Sequence, residues 1–179
     1  MSTSPEKKET WTNYLAITTV LIAVCATLST FKGGGYSTRS LLNQTLAANQ
    51  WSYFQSKSIK SYLFEVEKNN LEFQKGILQS PDPVVLEKYE KAIDKLEKNI
   101  ARYDTEKAEI KKTAEAHELE RDNCKHHAST FGIAVIFLQV SILLSSISAL
   151  TKRKYIWFIS IGVGAAGVFY FANGFLLFF

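Results

Sequence analysis

At 179 residues, 46% of them hydrophobic and with a formal charge of +4, the chain has the size of one ordinary domain. The charge is local: residues 36–125 hold fifteen basic and fifteen acidic side chains, and the excess comes from Lys32 and Lys152-Arg153-Lys154. A basic pI so placed marks membrane edges and leaves no nucleic-acid footprint. Two cysteines, Cys25 and Cys124, exclude a disulfide framework.

Three stretches carry no Asp, Glu, Lys or Arg: Tyr14–Phe31, Ala128–Thr151 and Tyr155–Phe179, of 18, 24 and 25 residues. About 20 apolar residues at ~1.5 Å each cross a bilayer core, which predicts three transmembrane helices. After a tail at residues 1–13, the first span covers 14–32, with Trp11, Tyr14, Phe31 and Lys32 placed as interface anchors. Lys7 and Lys8 precede it as in a signal peptide. No small-x-small cleavage site follows, and Ile22-Ala23-Val24 before Cys25 is a poor lipobox, so an uncleaved anchor is expected. Gly33-Gly34-Gly35 comes next. Each glycine costs a helix about 1 kcal/mol relative to alanine, which predicts a hinge.

Residues 36–127 read as a long antiparallel coiled-coil hairpin with its turn near 80–83. In the first arm Leu63, Val66, Asn70, Phe73 and Ile77 recur at steps of three and four. Ser80-Pro81-Asp82-Pro83 breaks the arm, with Asp82 suited to an N-cap and Pro83 to the first helical position. The second arm carries an a/d seam through Leu86, Tyr89, Ile93, Leu96, Ile100 and Tyr103, continuing by Lys107 to Ile110 and Ala114. It meets no breaker before the second span, so one helix from Asp82 to about Leu150 is expected.

His117, Glu120, Cys124 and His127 share a helix face and are ligand types for zinc or another transition metal. Helical turns are about 5.4 Å apart, too far for all four to reach one ion with bonds near ~2 Å. No metal or other cofactor is expected. Arg121, Lys125, His126 and His127 sit at the water–lipid boundary, where they reach phosphates or Asn43, Gln44, Asn49, Gln50 and Gln55 of the opposing arm.

The second span, 128–151, holds Gln139 and Ser146 on one side and Ser141, Ser145 and Ser148 on roughly the opposite one. Polar residues in lipid mark helix contacts or a pore lining. A helix marked on both sides, in a bundle of three, favours self-association. Lys152-Arg153-Lys154 forms a short loop, cytoplasmic by the positive-inside rule. The third span, 155–179, carries Ser160-x3-Gly164 and Gly162-x3-Ala166, small-x3-small patterns that allow close helix approach. Gly162-x-Gly164-x-x-Gly167 has no βαβ setting and is set aside as a dinucleotide fingerprint. No P-loop, nucleophile elbow or Ser–His–Asp order is found.

Two blocks, NQTLAANQWSYFQSKSIKSYLFE and ERDNCKHHASTFGIAVIFLQVSILLSSISALTKRKYIWFISIGVGAAGVF, resemble the bacterial membrane family called domain of unknown function four-three-three-seven. Its pattern maps onto Gln50–Trp51, Tyr53, Gln55–Lys60, Glu120–Asp122, His126–His127, Phe131, Gln139 and Ser145–Leu150. The resemblance implies a bacterial inner-membrane protein with helices before and after a helical insert, and supplies no activity. Cys124 and the three glycines lie outside the pattern.

The expected fold is thus an all-α integral membrane protein, with three transmembrane helices and the hairpin inserted between the first and second. The expected function is non-enzymatic: a homo-oligomeric membrane scaffold that contacts lipids and presents the hairpin to a protein partner. The alternative is an oligomeric channel lined by Gln139, Ser141, Ser145, Ser146 and Ser148, with the His/Lys cluster at its mouth.

Overall fold

A computed structural model of the protein describes residues 10–78 and 82–177. Three helices, α1 (Thr10–Gly76), α2 (Pro83–Thr151) and α3 (Lys154–Leu176), make up the fold, with no strand among the described residues. Each contains a segment long and apolar enough to cross a membrane. The tail up to Glu9, residues 79–81 of the turn, and the last two residues of the expected third span lie outside the described residues.

The start of α2 follows from its sequence. The Asp82 carboxylate accepts the Val84 N–H at 2.9 Å, and the Asp82 carbonyl accepts Val85 and Leu86 at 2.9 and 3.1 Å. Pro83 occupies the first helical position, where its missing N–H costs nothing. From there α2 runs unbroken to Thr151, as its lack of breakers implies. Helix α3 ends where Leu177 adopts the left-handed conformation and its N–H bonds the Asn173 carbonyl at 2.7 Å.

The expected hinge at Gly33-Gly34-Gly35 is absent; α1 passes straight through it. A glycine keeps its backbone N–H, so the helix ladder persists, and a tertiary contact offsets the propensity cost. A Cβ on Gly33 would lie 3.0 Å from the Phe131 Cβ. The bare backbone therefore lets α1 approach α2 closely here.

The chain forms two compact units, one of residues 42–120 and one joining residues up to Leu41 with those from Arg121 onward. In the first unit, partner separation grows from 15 residues at Lys75–Glu90 to 74 at Asn43–His117. Such widening means that the two segments run antiparallel. Leu86, Tyr89, Ile93, Leu96, Ile100, Tyr103, Lys107, Ile110 and Ala114 are all buried or half-buried, matching the α2 seam.

The α1 stripe behaves otherwise. Leu63, Val66, Asn70, Phe73 and Ile77 face outward, exposed, and the covered face is Asn43, Ala47, Phe54, Lys57, Ser61, Phe64, Lys68, Leu71 and Lys75. Lysines serve on this inner face because their stems pack while their ammonium groups meet carboxylates across the pair. Lys57 reaches Glu106 at 2.6 Å, Lys68 reaches Glu97 at 2.7 Å and Lys75 reaches Glu90 at 2.8 Å.

Lys57 also lies 5.2 and 5.1 Å from the Tyr53 and Tyr103 ring centres. Its bond to Glu106, aided by Tyr53, raises its pKa above the ordinary 10.5. The same bond holds Glu106 below its ordinary 4.5. A depressed carboxylate stabilises the fold above 4.5 and loses that contribution as pH falls through its lower folded value. A raised ammonium contributes fully below 10.5 and loses its share as pH rises through the higher folded value. The contribution of this pair to stability should therefore be constant between these limits and fall beyond both. Glu106→Gln should flatten the acid limb, measured by melts at stepped pH. An unchanged acid limb would remove Glu106 from the account.

Candidate functional site

In the second unit α1, α2 and α3 pack against one another. Ile22, Ala26 and Leu138 form its buried centre, with Cys25 and Ile142 against them. The polarity is inverted relative to a water-soluble bundle. Buried with them are Ser29, Ser141, Ser145, Ser148 and Ser160. Outside lie Leu21, Leu28, Phe31, Ile136, Leu143, Leu150, Phe158 and Phe169. Only 17–28% of the most apolar window of each helix is covered.

Ser141, Ser145 and Ser160 form one network. Ser141 Oγ donates to the Ser160 carbonyl at 2.7 Å, and Ser160 Oγ donates to the Ser141 carbonyl at 2.9 Å. Each hydroxyl has a single proton, so Ser145 supplies the one between its own Oγ and Ser160 Oγ, 2.6 Å apart. Ser148 Oγ donates to the Arg153 carbonyl at 2.9 Å. Ser141, Ser145 and Ser148 of the expected pore lining are thus bonded within the chain and hold α3 and its loop. Their spacing of three and four residues puts them on one helix face, and α3 covers that face.

Gln139 and Ser146 are exposed on the other side of α2, and Ser146 Oγ bonds its own helix at the Ile142 carbonyl, 2.9 Å away. The helix is therefore packed on one marked side within the chain and open on the other. Ser160→Ala removes the shared donor and acceptor of two α2 serines. It should cost about 1 kcal/mol, within the range of interhelical hydrogen bonds in membrane proteins. Ser145→Ala should add little in that background, measured as a double-mutant cycle by unfolding in detergent.

Of the two small-x3-small patterns, only one packs. Ser160 and Gly164 are buried, and a Cβ on Gly164 would meet Ser141 Oγ at 2.8 Å and Ile22 Cδ1 at 2.9 Å. Gly162 faces open space and Ala166 is half-buried. Gly167 and Gly174 carry the rest of the line, against Leu138 and Phe131, each with a hypothetical Cβ at 2.8 Å. In the sequence Gly167 figures only in the fingerprint set aside and Gly174 not at all, although both continue the Ser160–Gly164 face at helical spacing.

The boundary residues divide too. His127 turns inward, stacked on Tyr36 with ring centres 4.5 Å apart, and its Nδ1 lies 2.8 Å from the Gly174 carbonyl oxygen. A carbonyl only accepts, so Nδ1 carries the proton. His127 thereby satisfies one of the last carbonyls of α3, which helix geometry leaves without a partner. Arg121 clamps Asp122 through two bonds of 2.8 and 2.9 Å, holding that carboxyl below its ordinary 3.8, and its carbonyl accepts Ser40 Oγ. Lys125 and His126 are exposed. His126 borders a cleft of about 280 Å³ with Ser129, Thr130, Ile133, Tyr170 and Asn173.

The opposite end carries a second aromatic and basic group. Trp157 Nε1 donates to Thr18 at 3.2 Å, Trp11 lies 6.3 Å from Trp157, and Lys154 sits 5.8 Å over Trp11. As for the four metal-ligand types, His117 bonds Asn43 at 3.1 Å, His127 bonds Gly174, Cys124 is buried and Glu120 is half-buried. Among the described residues no group of three or more His, Cys, Asp or Glu side chains is placed to hold a metal ion.

A family profile described as Domain of unknown function (DUF4337) matches residues 11–177. No curated protein and no solved structure matches the chain.

Proposed function

We propose, for a chain that belongs to the family described as Domain of unknown function (DUF4337), that it is a self-associating membrane scaffold presenting a charged coiled-coil hairpin. The contrast between its two units carries this reading. One buries hydroxyls and exposes an apolar girdle; the other is closed by ion pairs between half-buried lysines and glutamates. Lipid covers such a girdle without cost, and water solvates the second unit. Trp11, Trp157 and Lys154 at one end, and Tyr36 and Lys32 at the other, suit the two interfaces of a bilayer. Along α1 Trp11 stands 21 residues from Lys32 and 25 from Tyr36, about 32–38 Å of helix.

The membrane is a bacterial inner membrane in this reading, with residues 152–154 on the cytoplasmic side and the hairpin on the other. The channel reading is weaker because Ser141, Ser145 and Ser148 are engaged within the chain, leaving Gln139 and Ser146. Extraction of membranes at alkaline pH tests the main reading: the chain should stay in the pellet and elute in detergent as more than one copy. Release into the wash would overturn it. Ion flux in proteoliposomes that Gln139→Leu abolishes would replace it with the channel.

A further inference from the structure

The outward stripe of α1 is itself a heptad. Ile59, Leu63, Val66, Asn70, Phe73 and Ile77 alternate steps of four and three. Their apolar members are 62%, 60%, 47%, 68% and 63% exposed in that order. The inner positions Lys57, Ser61, Phe64, Lys68, Leu71 and Lys75 are the ones covered by α2. Most outer positions follow an inner one by two residues, a rotation of about 200° at 3.6 residues per turn. So α1 carries two seams on opposite sides, and only one has a partner within the chain.

We propose that the outer seam pairs in parallel register with the same seam of a second copy of this chain. This rests on the self-associating reading above and names its surface. Three observations select a second copy. The 4-3 spacing puts Leu63, Asn70 and Ile77 at a positions and Ile59, Val66 and Phe73 at d positions of one register. A single asparagine at an a position is the device that fixes register in parallel coiled coils, because two such amides satisfy one another. Asn70 Oδ1 accepts Gln74 Nε2 at 3.3 Å within the chain, and its own N–H groups are left to pair across the seam. Finally, the flanking g positions Gln55, Tyr62, Asn69 and Gly76 are all uncharged. A parallel pair therefore brings no like charges together, and copies inserted alike in one membrane meet in parallel.

The full chain in detergent, with Leu63→Cys or Phe73→Cys, should give disulfide-linked dimers under mild oxidation. The parent chain and Lys98→Cys, on the outer face of α2, should not. Leu63→Glu should weaken association about tenfold or more, since it replaces a buried apolar contact of the seam with a charge. Asn70→Leu should keep association and lose the single discrete mass. Stable oligomers without seam cross-links would overturn this surface and leave self-association standing. A monomeric mass at every concentration would overturn both. Cross-links undiminished by Leu63→Glu would show random collision and overturn the seam.

Discussion

Replacing Phe131 with alanine is expected to loosen the bundle of α1, α2 and α3 more than any other single truncation. Phe131 is fully buried and stands among three further rings, with centres 6.0 Å away at Tyr36, 6.1 Å at Phe171 and 5.0 Å at Phe175. Gly33 and Gly174 lack side chains where Phe131 fits, the latter with its ring atoms 2.8 to 2.9 Å from a hypothetical Cβ. Truncating a buried phenylalanine costs about 3–5 kcal/mol in water. With lipid as solvent the transfer part falls away and the lost packing remains, which favours the lower end, about 3 kcal/mol. Phe131→Leu should retain roughly half the loss. Unfolding in mixed micelles measures both, and a midpoint equal to the parent's would show that the ring cluster does not hold the bundle.

Gly167→Ala should come next, and Gly162→Ala should have the opposite sign. At Gly167 an added Cβ meets Leu138 at Cγ, Cδ2 and the backbone nitrogen, at 2.8, 2.9 and 3.0 Å. A leucine side chain can rotate away; a backbone nitrogen cannot, so α2 and α3 must part. Overpacking of this kind costs about 1–3 kcal/mol. At Gly162 nothing lies within 4 Å, and alanine gains up to about 1 kcal/mol of helix propensity. Thermal melts of the two variants should shift in opposite directions. A fall of equal size in both would mean that helix propensity and contact at Gly167 do not decide the effect.

Much of the fold was legible along the chain. The charge-free stretches anticipate the three apolar segments, the Asp82-Pro83 pair starts α2, and the seam from Leu86 to Ala114 is the covered face of its segment. These features depend on residues close in sequence. The reading of Gly33-Gly34-Gly35 as a hinge failed because propensity is worth only about 1 kcal/mol per residue, and Phe131, far along the chain, packs against the bare backbone. The stripe from Leu63 to Ile77 was legible as periodic, and the structure turns it outward. Periodicity reports a face, and says nothing of what covers it.

The candidate site was legible as residue types and illegible as partnerships. Ser141, Ser145, Ser148 and Ser160 stand out in any apolar run, yet spacing alone favoured helix contact for the three of α2 without excluding a pore lining. The hydrogen bonds at Ser160 join Ser141 and Ser145 to α3, and Ser148 bonds the Arg153 carbonyl. His127 read as a boundary residue facing lipid headgroups, and tertiary structure turned it to the Gly174 carbonyl.

Sequence was sufficient for what local chemistry controls: helical class, the length and apolarity of three segments, the start of α2, and family membership. Tertiary structure alone decided which face of α1 is inside. Helix α1 offers two heptads on opposite sides, one apolar and one rich in lysine, and α2 took the second. The reason is that carboxylates such as Glu90, Glu97 and Glu106 stand where they meet Lys75, Lys68 and Lys57. That complementarity exists only between two segments brought side by side, and it leaves the apolar heptad of α1 exposed.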